Sequence, residues 1–154
     1  MFEFNLYDLK DFNKIETLFL ENNKNKDVVF ICIGTKKYFN DSFAVMLGDK
    51  LKNYNLFVYG SSKREVNGLN YLNVYNFVKH KHKKSKIIIL DSVFVKSDKK
   101  PILIYKNSPV NVSGLNSNLL LGDESILFNS FSYSNLDYLN KILILLSNLF
   151  KKMM

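Results

Sequence analysis

Asp27-Val28-Val29-Phe30-Ile31-Cys32-Ile33-Gly34 is the stretch that decides the fold. Six apolar residues stand in a row, four of them β-branched, and glycine ends the run. That is too short for an ordinary helix and fits a strand buried on both faces, as in a parallel sheet. A second run of the same kind, Ile87-Ile88-Ile89-Leu90-Asp91, ends on a carboxylate instead of a glycine.

Outward from the first strand, a polar loop over 35–40 leads to Phe43, Met46, Leu47 and Leu51, which mark one helix face with Asp41 or Ser42 as N-cap. A short strand over 55–59 follows and stops at Gly60. Leu69, Leu72, Tyr75 and Val78 recur at helical steps, and the charged run 79–86 closes that helix. Upstream, Phe12, Ile15, Leu18 and Phe19 predict an amphipathic helix over 9–21. Downstream, strands are predicted over 101–106 and 125–131, separated by a loop over 108–121 containing Gly114. A last helix starts at Ser134, where Ser134-x-x-Asp137 resembles a capping box, and carries Leu136, Leu139, Ile142, Leu143, Leu146 and Phe150.

The predicted order is therefore α-β-α-β-α-β-β-β-α. Buried strands alternating with helices predict an α/β fold: a three-layer α/β/α sandwich on a mostly parallel sheet of about five strands, phosphorylase/hydrolase-like. Right-handed crossovers bring the carboxyl ends of the parallel strands to one edge, and ligands bind there where the chain reverses direction. If the strand order begins 2-1-3, the first and third apolar strands are neighbours. The loops 34–41 and 91–97 then line one crevice, and Asp41 and Asp91 meet in it.

Composition narrows the function classes. The chain has 154 residues, 47% hydrophobic with 13 Phe and 9 Tyr, enough for one domain with a substantial core. No apolar run reaches the ~20 residues of a membrane span. The first ten residues carry Glu3 and Asp8 and do not read as a secretory signal. One cysteine, Cys32, allows no internal disulfide and suits a cytoplasmic protein. The net charge of +8 accompanies a richness in Lys, Asn, Ile, Phe and Tyr and a poverty in Arg, Ala, Gly and Pro. Codons rich in A and T produce that pattern without any selection for a nucleic-acid partner.

Among residues that carry chemistry, Asp41 and Asp91 stand first. Asp41 at a helix start gains from the helix dipole and is expected to be ionised. Asp91 at the end of an aliphatic strand is desolvated and expected to be the more protonated. Such a division makes one carboxyl an acid and the other a base. Taken singly, an N-cap and a polar strand terminus explain both residues. Thr35, Ser42 and Ser92 are expected to orient the carboxylates by hydrogen bonds. Asp123, in Gly122-Asp123, is an accessory acid or a turn former, with the turn favoured. His80 and His82, two apart among lysines, read as a solvated run and not as metal ligands. Cys32 reads as an inert core residue. The full phosphate-loop pattern is absent around Gly34.

These residues also resemble a known family. Cys32-Ile33-Gly34-Thr35, then Asp41-Ser42, then Gly48-x-Lys50-Leu51 resembles the opening of the YyaC family of sporulation proteins. Val58-Tyr59-Gly60, Leu69-Asn70, the strand ending in Asp91 and Gly122-Asp123-x-Ser125-Ile126 follow in that family's order. The family looks related to the germination protease of spore formers and to hydrogenase-maturation endopeptidases. The resemblance implies an aspartic-type peptidase (a hydrolase) with Asp41 and Asp91 as its catalytic pair. It implies protein substrates such as small acid-soluble spore proteins, and a place in the forespore or mother-cell cytoplasm.

No cofactor is expected; a metal held by Asp41 and Asp91 is the alternative, although no histidine stands at the third metal position of the maturation endopeptidases. The sequence departs from the family at Asn40, where glycine is usual, at Phe43-Ala44-Val45, where Leu-Gly-Pro is usual, and at Leu120, where proline is usual. A narrowed or lost groove is one expectation from these changes. The chain is thus expected to be a single domain over 1–154, with an N-terminal helix about 8–22 and a peptidase-like core about 27–154. The competing readings are a non-catalytic sporulation factor and a basic nucleic-acid-binding domain.

Overall fold

The computed structural model describes residues 2–96, 101–112, 119–130 and 136–154. Strand β1 (Glu3–Leu6) precedes helix α1 (Phe12–Asn23), strand β2 (Val28–Cys32), helix α2 (Phe43–Leu51), strand β3 (Phe57–Tyr59) and helix α3 (Tyr71–Lys81). Strands β4 (Lys86–Val93), β5 (Leu103–Lys106), β6 (Val110–Asn111), β7 (Leu120–Leu121) and β8 (Glu124–Asn129) follow, and helix α4 (Leu136–Lys151) closes the order.

The central sheet has six strands in the order β1-β5-β8-β4-β2-β3. β3, β2, β4 and β8 are mutually parallel, while β5 runs antiparallel to β8 and β1 antiparallel to β5. The alternation of β2 and β4 assigns each face a partner. Phe30, Cys32, Ile88 and Leu90 join α1, α2 and α4 in one cluster. Val29, Ile31, Ile87 and Ile89 join α3 and the small β6–β7 hairpin in the other. The three-layer α/β/α sandwich expected from the sequence is therefore present, with three helices on one face and α3 with the hairpin on the other.

Two features differ from the sequence reading. The sheet has six strands rather than about five, because β1 lies ahead of α1. Of its four residues only Leu6 is fully buried, so it gives little hydrophobic pattern; pairing with β5 holds it. Within the segment read as a loop, Val110–Asn111 and Leu120–Leu121 pair antiparallel, each too short to show a period. Leu120 there occupies a strand position. Ser134 of the capping-box pattern, Gly114, and the end of the 125–131 strand at Phe131 lie outside the described residues. Among those that are described, no helix is long and apolar enough to cross a membrane.

Candidate functional site

β2 lies between β3 and β4, so the strands first read as one, two and three stand in the order 2-1-3. The chain leaves β2 toward β3 on one side and returns to β4 on the other. The gap between the carboxyl ends of β2 and β4 is thus the point of reversal at which α/β sheets bind ligands. Cys32 pairs with Leu90, and the Ile33 amide donates to the Leu90 carbonyl at 2.8 Å. Asp91 follows at once.

The loop after β2 brings Asp41 back to this place. Gly34 donates its amide to Val66 at 2.8 Å, and Thr35 donates its own to the Asp41 carbonyl at 2.9 Å. A Cβ on Gly34 would lie 2.3 Å from that carbonyl oxygen and 3.5 Å from Asp41 Oδ1. Only glycine lets the loop close this tightly. The short 3-10 turn Phe39–Asp41 then packs against β4.

Asp91 is 7% exposed and accepts the Ser92 amide on Oδ1 at 2.8 Å. Burial pushes its carboxyl well above the usual range; the Ser92 amide opposes the shift and the charge of Asp41 adds to it. Asp41 is half-buried, and its carboxyl is also raised, chiefly by burial, against the Thr35 amide and with help from the charge of Glu65. The expected helix-dipole lowering of Asp41 is corrected. Ser42, not Asp41, occupies the N-cap, and Asp41 sits one residue earlier in the 3-10 turn beside another carboxylate. The order of the two stands, with Asp91 displaced further.

Thr35 and Ser92 reach the two carboxyls through their amides and not their hydroxyls, and Ser42 reaches neither. Ser42 Oγ donates to the Phe39 carbonyl at 2.8 Å, tying down its own turn. Ser92 gives its amide to Asp91, but its buried Oγ has no partner among the described residues. Strand alternation explains this: Asp91 continues the face of Ile87 and Ile89, while Ser92 continues that of Ile88 and Leu90. Thr35 Oγ1 donates to Glu65 at 3.1 Å, and the Lys36 amide donates to the same carboxylate at 2.7 Å.

Glu65 is the residue the sequence reading missed. It stands in the loop after β3, and the loops after the parallel strands open on the same edge, so that loop was a further place to look. Asp123 is at the other edge. Its Oδ2 accepts the Ile87 amide at 2.8 Å at the start of β4, and Gly122 turns at φ 73° beside it, so it is the turn former and no accessory acid to this crevice.

Cys32 is buried, and burial pushes its thiol far up, in keeping with an inert core residue. His80 is exposed, whereas His82 Nε2 meets the Tyr59 hydroxyl at 2.8 Å and its ring lies against Phe57. No group of three or more His, Cys, Asp or Glu side chains is placed to hold a metal among the described residues.

Fold and site together define an α/β sandwich protein with two carboxyls, Asp41 and Asp91, at the reversal point of its sheet. Residues 3–149 match the family model described as protein of unknown function (DUF1256), and the chain belongs to that family. Among curated proteins, none matches it.

Proposed function

We propose that the chain is a peptidase of the YyaC type, a sporulation-associated relative of the germination protease, acting on a protein substrate through Asp41 and Asp91. The observation that supports this reading is that the loop after β2 returns Asp41 to β4, where burial, with the charge of Asp41 adding to it, holds Asp91 protonated. Two such groups share a proton readily. Asp41, less displaced and more accessible, activates a water for attack on the peptide carbonyl. Asp91 supplies the proton that the departing amine takes up. Glu65 keeps Asp41 basic by its charge, and the Ser92 amide fixes the Asp91 rotamer.

The test is cleavage of a peptide library read by mass spectrometry, with Asp41→Asn and Asp91→Asn as controls. Cleavage by the parent chain that both variants lose supports the reading. Cleavage that survives in either variant defeats it.

A second reading, a non-catalytic sporulation factor, is favoured by one observation: Asp91 is almost closed off from solvent. Of the altered residues Phe43-Ala44-Val45, Phe43 and Ala44 pack away from Asp91, in the cluster on the other face of the sheet. All three are buried in α2, and Phe43 stacks on Phe128 at 5.2 Å, on the face opposite to Asp91.

A further inference from the structure

β3 is an edge strand, and its outer side has no strand partner among the described residues. Natural edges are commonly blunted by lysine, proline or a bulge. This one reads Phe57-Val58-Tyr59, with Phe57 62% exposed. Along it runs a groove of about 550 Å³, bounded by Lys52 after α2, by Arg64 and Glu65 after β3, and by Val74 of α3. The groove therefore follows the sheet edge between the two helical layers, which is the shape of a missing strand. At one end it reaches Glu65, whose carboxylate is turned to Thr35 and Lys36 in the loop that carries Asp41.

Its charge points to one kind of occupant. Lys52 and Arg64 have no ion-pair partner among the described residues. Arg64 is the only arginine among the 22 basic residues of the chain. A guanidinium presents a planar fork of donors that matches a carboxylate in a way an ammonium does not. Exposed aromatic side chains beside such a fork are the usual anchors of a bound peptide.

We propose that this groove takes an extended peptide segment as a seventh strand against β3, with an acidic side chain on Arg64 and Lys52 and an apolar one against Phe57. Main-chain pairing with the edge supplies affinity and the flanking side chains supply selectivity. The proposal rests on the peptidase reading, since it names the class of segment that would lead a substrate into the crevice.

The test uses the full chain carrying Asp91→Asn, so that binding is read without cleavage and its failure is distinct from a failure of catalysis. Three fluorescein-labelled probes are compared by anisotropy: a decapeptide of alternating Val and Glu, one of alternating Val and Lys, and a decamer of thymidine. The acidic peptide is expected to bind at least tenfold tighter than the basic one. Arg64→Glu and Lys52→Glu, added singly, are each expected to weaken it at least fivefold with the circular dichroism unchanged. Bound peptide is expected to slow amide exchange at residues 57–59. Equal binding of the two peptides overturns the proposal, as do unchanged affinity in both variants and exchange protection confined to other residues. Tighter binding of the thymidine decamer overturns it in favour of a nucleic acid.

Discussion

The Thr35 amide donates to the Asp41 carbonyl at 2.9 Å, so seven residues after β2 form a closed loop whose last residue carries the candidate carboxylate. Gly34 is the hinge of that closure. Gly34→Ala places a methyl 2.3 Å from the Asp41 oxygen, and the loop has to open. The expected cost is about 1–3 kcal/mol of stability, the range for overpacking a tight site. Urea unfolding measures it, and an unchanged midpoint contradicts the geometry.

Asp91→Asn keeps the shape of the side chain and removes the proton exchange. If the peptidase reading holds, cleavage falls by about 10²- to 10⁴-fold, the usual contribution of a positioned acid or base. The circular dichroism spectrum stays that of the parent chain.

The same substitution has a signature in stability that is independent of any activity. An unfolded aspartate titrates near 3.9, as a rough reference. Folded Asp91 titrates well above that. Between the two values the native state binds more protons than the unfolded state, so stability falls as pH rises. The contribution is fully present below the unfolded value and is lost once the pH has passed the folded one. Asp91→Asn abolishes this term. Its melting temperature relative to the parent chain is therefore expected to rise from pH 3.5 toward neutrality. A constant difference across a set of thermal melts would show that Asp91 ionises as an ordinary carboxyl.

At the opposite edge of the sheet, Glu124 is fully buried and pairs with Lys86 at 2.5 Å, with the Asn23 amide donating to it at 2.7 Å. Lys86→Met leaves that carboxylate buried and unpaired. A loss of about 3–5 kcal/mol is expected, and replacing Glu124 by Leu as well recovers much of it. Urea midpoints of the single and double variants decide.

Gly48 of α2 packs against the end of β3: a Cβ there would stand 2.0 Å from the Gly60 carbonyl. Gly48→Ala is expected to cost about 1–3 kcal/mol despite the better helix propensity of alanine. A stabilised variant would contradict the contact.

How much of this could be read in advance depended on the strength of each pattern. Val28 to Ile33 and Ile87 to Leu90 are long, apolar and β-branched, and both are strands where the sequence placed them. Their adjacency was read only on the condition of a 2-1-3 strand order, which the sheet has. β1 escaped notice because its burial comes from a partner about a hundred residues away and is not written into its own four residues. The destination of each side chain was also beyond the local sequence. Ser42 and Ser92 follow the two aspartates, yet strand alternation turns Ser92 away and the 3-10 turn occupies Ser42. Glu65 was missed because nothing local marks it. Its role comes from the Ile33–Val66 bridge, which draws its loop beside Thr35.

The insertion of β8 between β5 and β4 has a consequence for how the molecule is made. Synthesis delivers β4 and β5 before either has its inner neighbour, since each bonds to β8 and neither bonds to the other. Until residues 124–129 leave the ribosome, the growing chain holds two separate pieces: a parallel β3-β2-β4 group and a β1-β5 pair. Each exposes an apolar strand edge to solvent. The strand that joins them follows every other described strand in the chain, so the two halves stay open to aggregation until it is made, and the two aspartates are in place on an unfinished sheet.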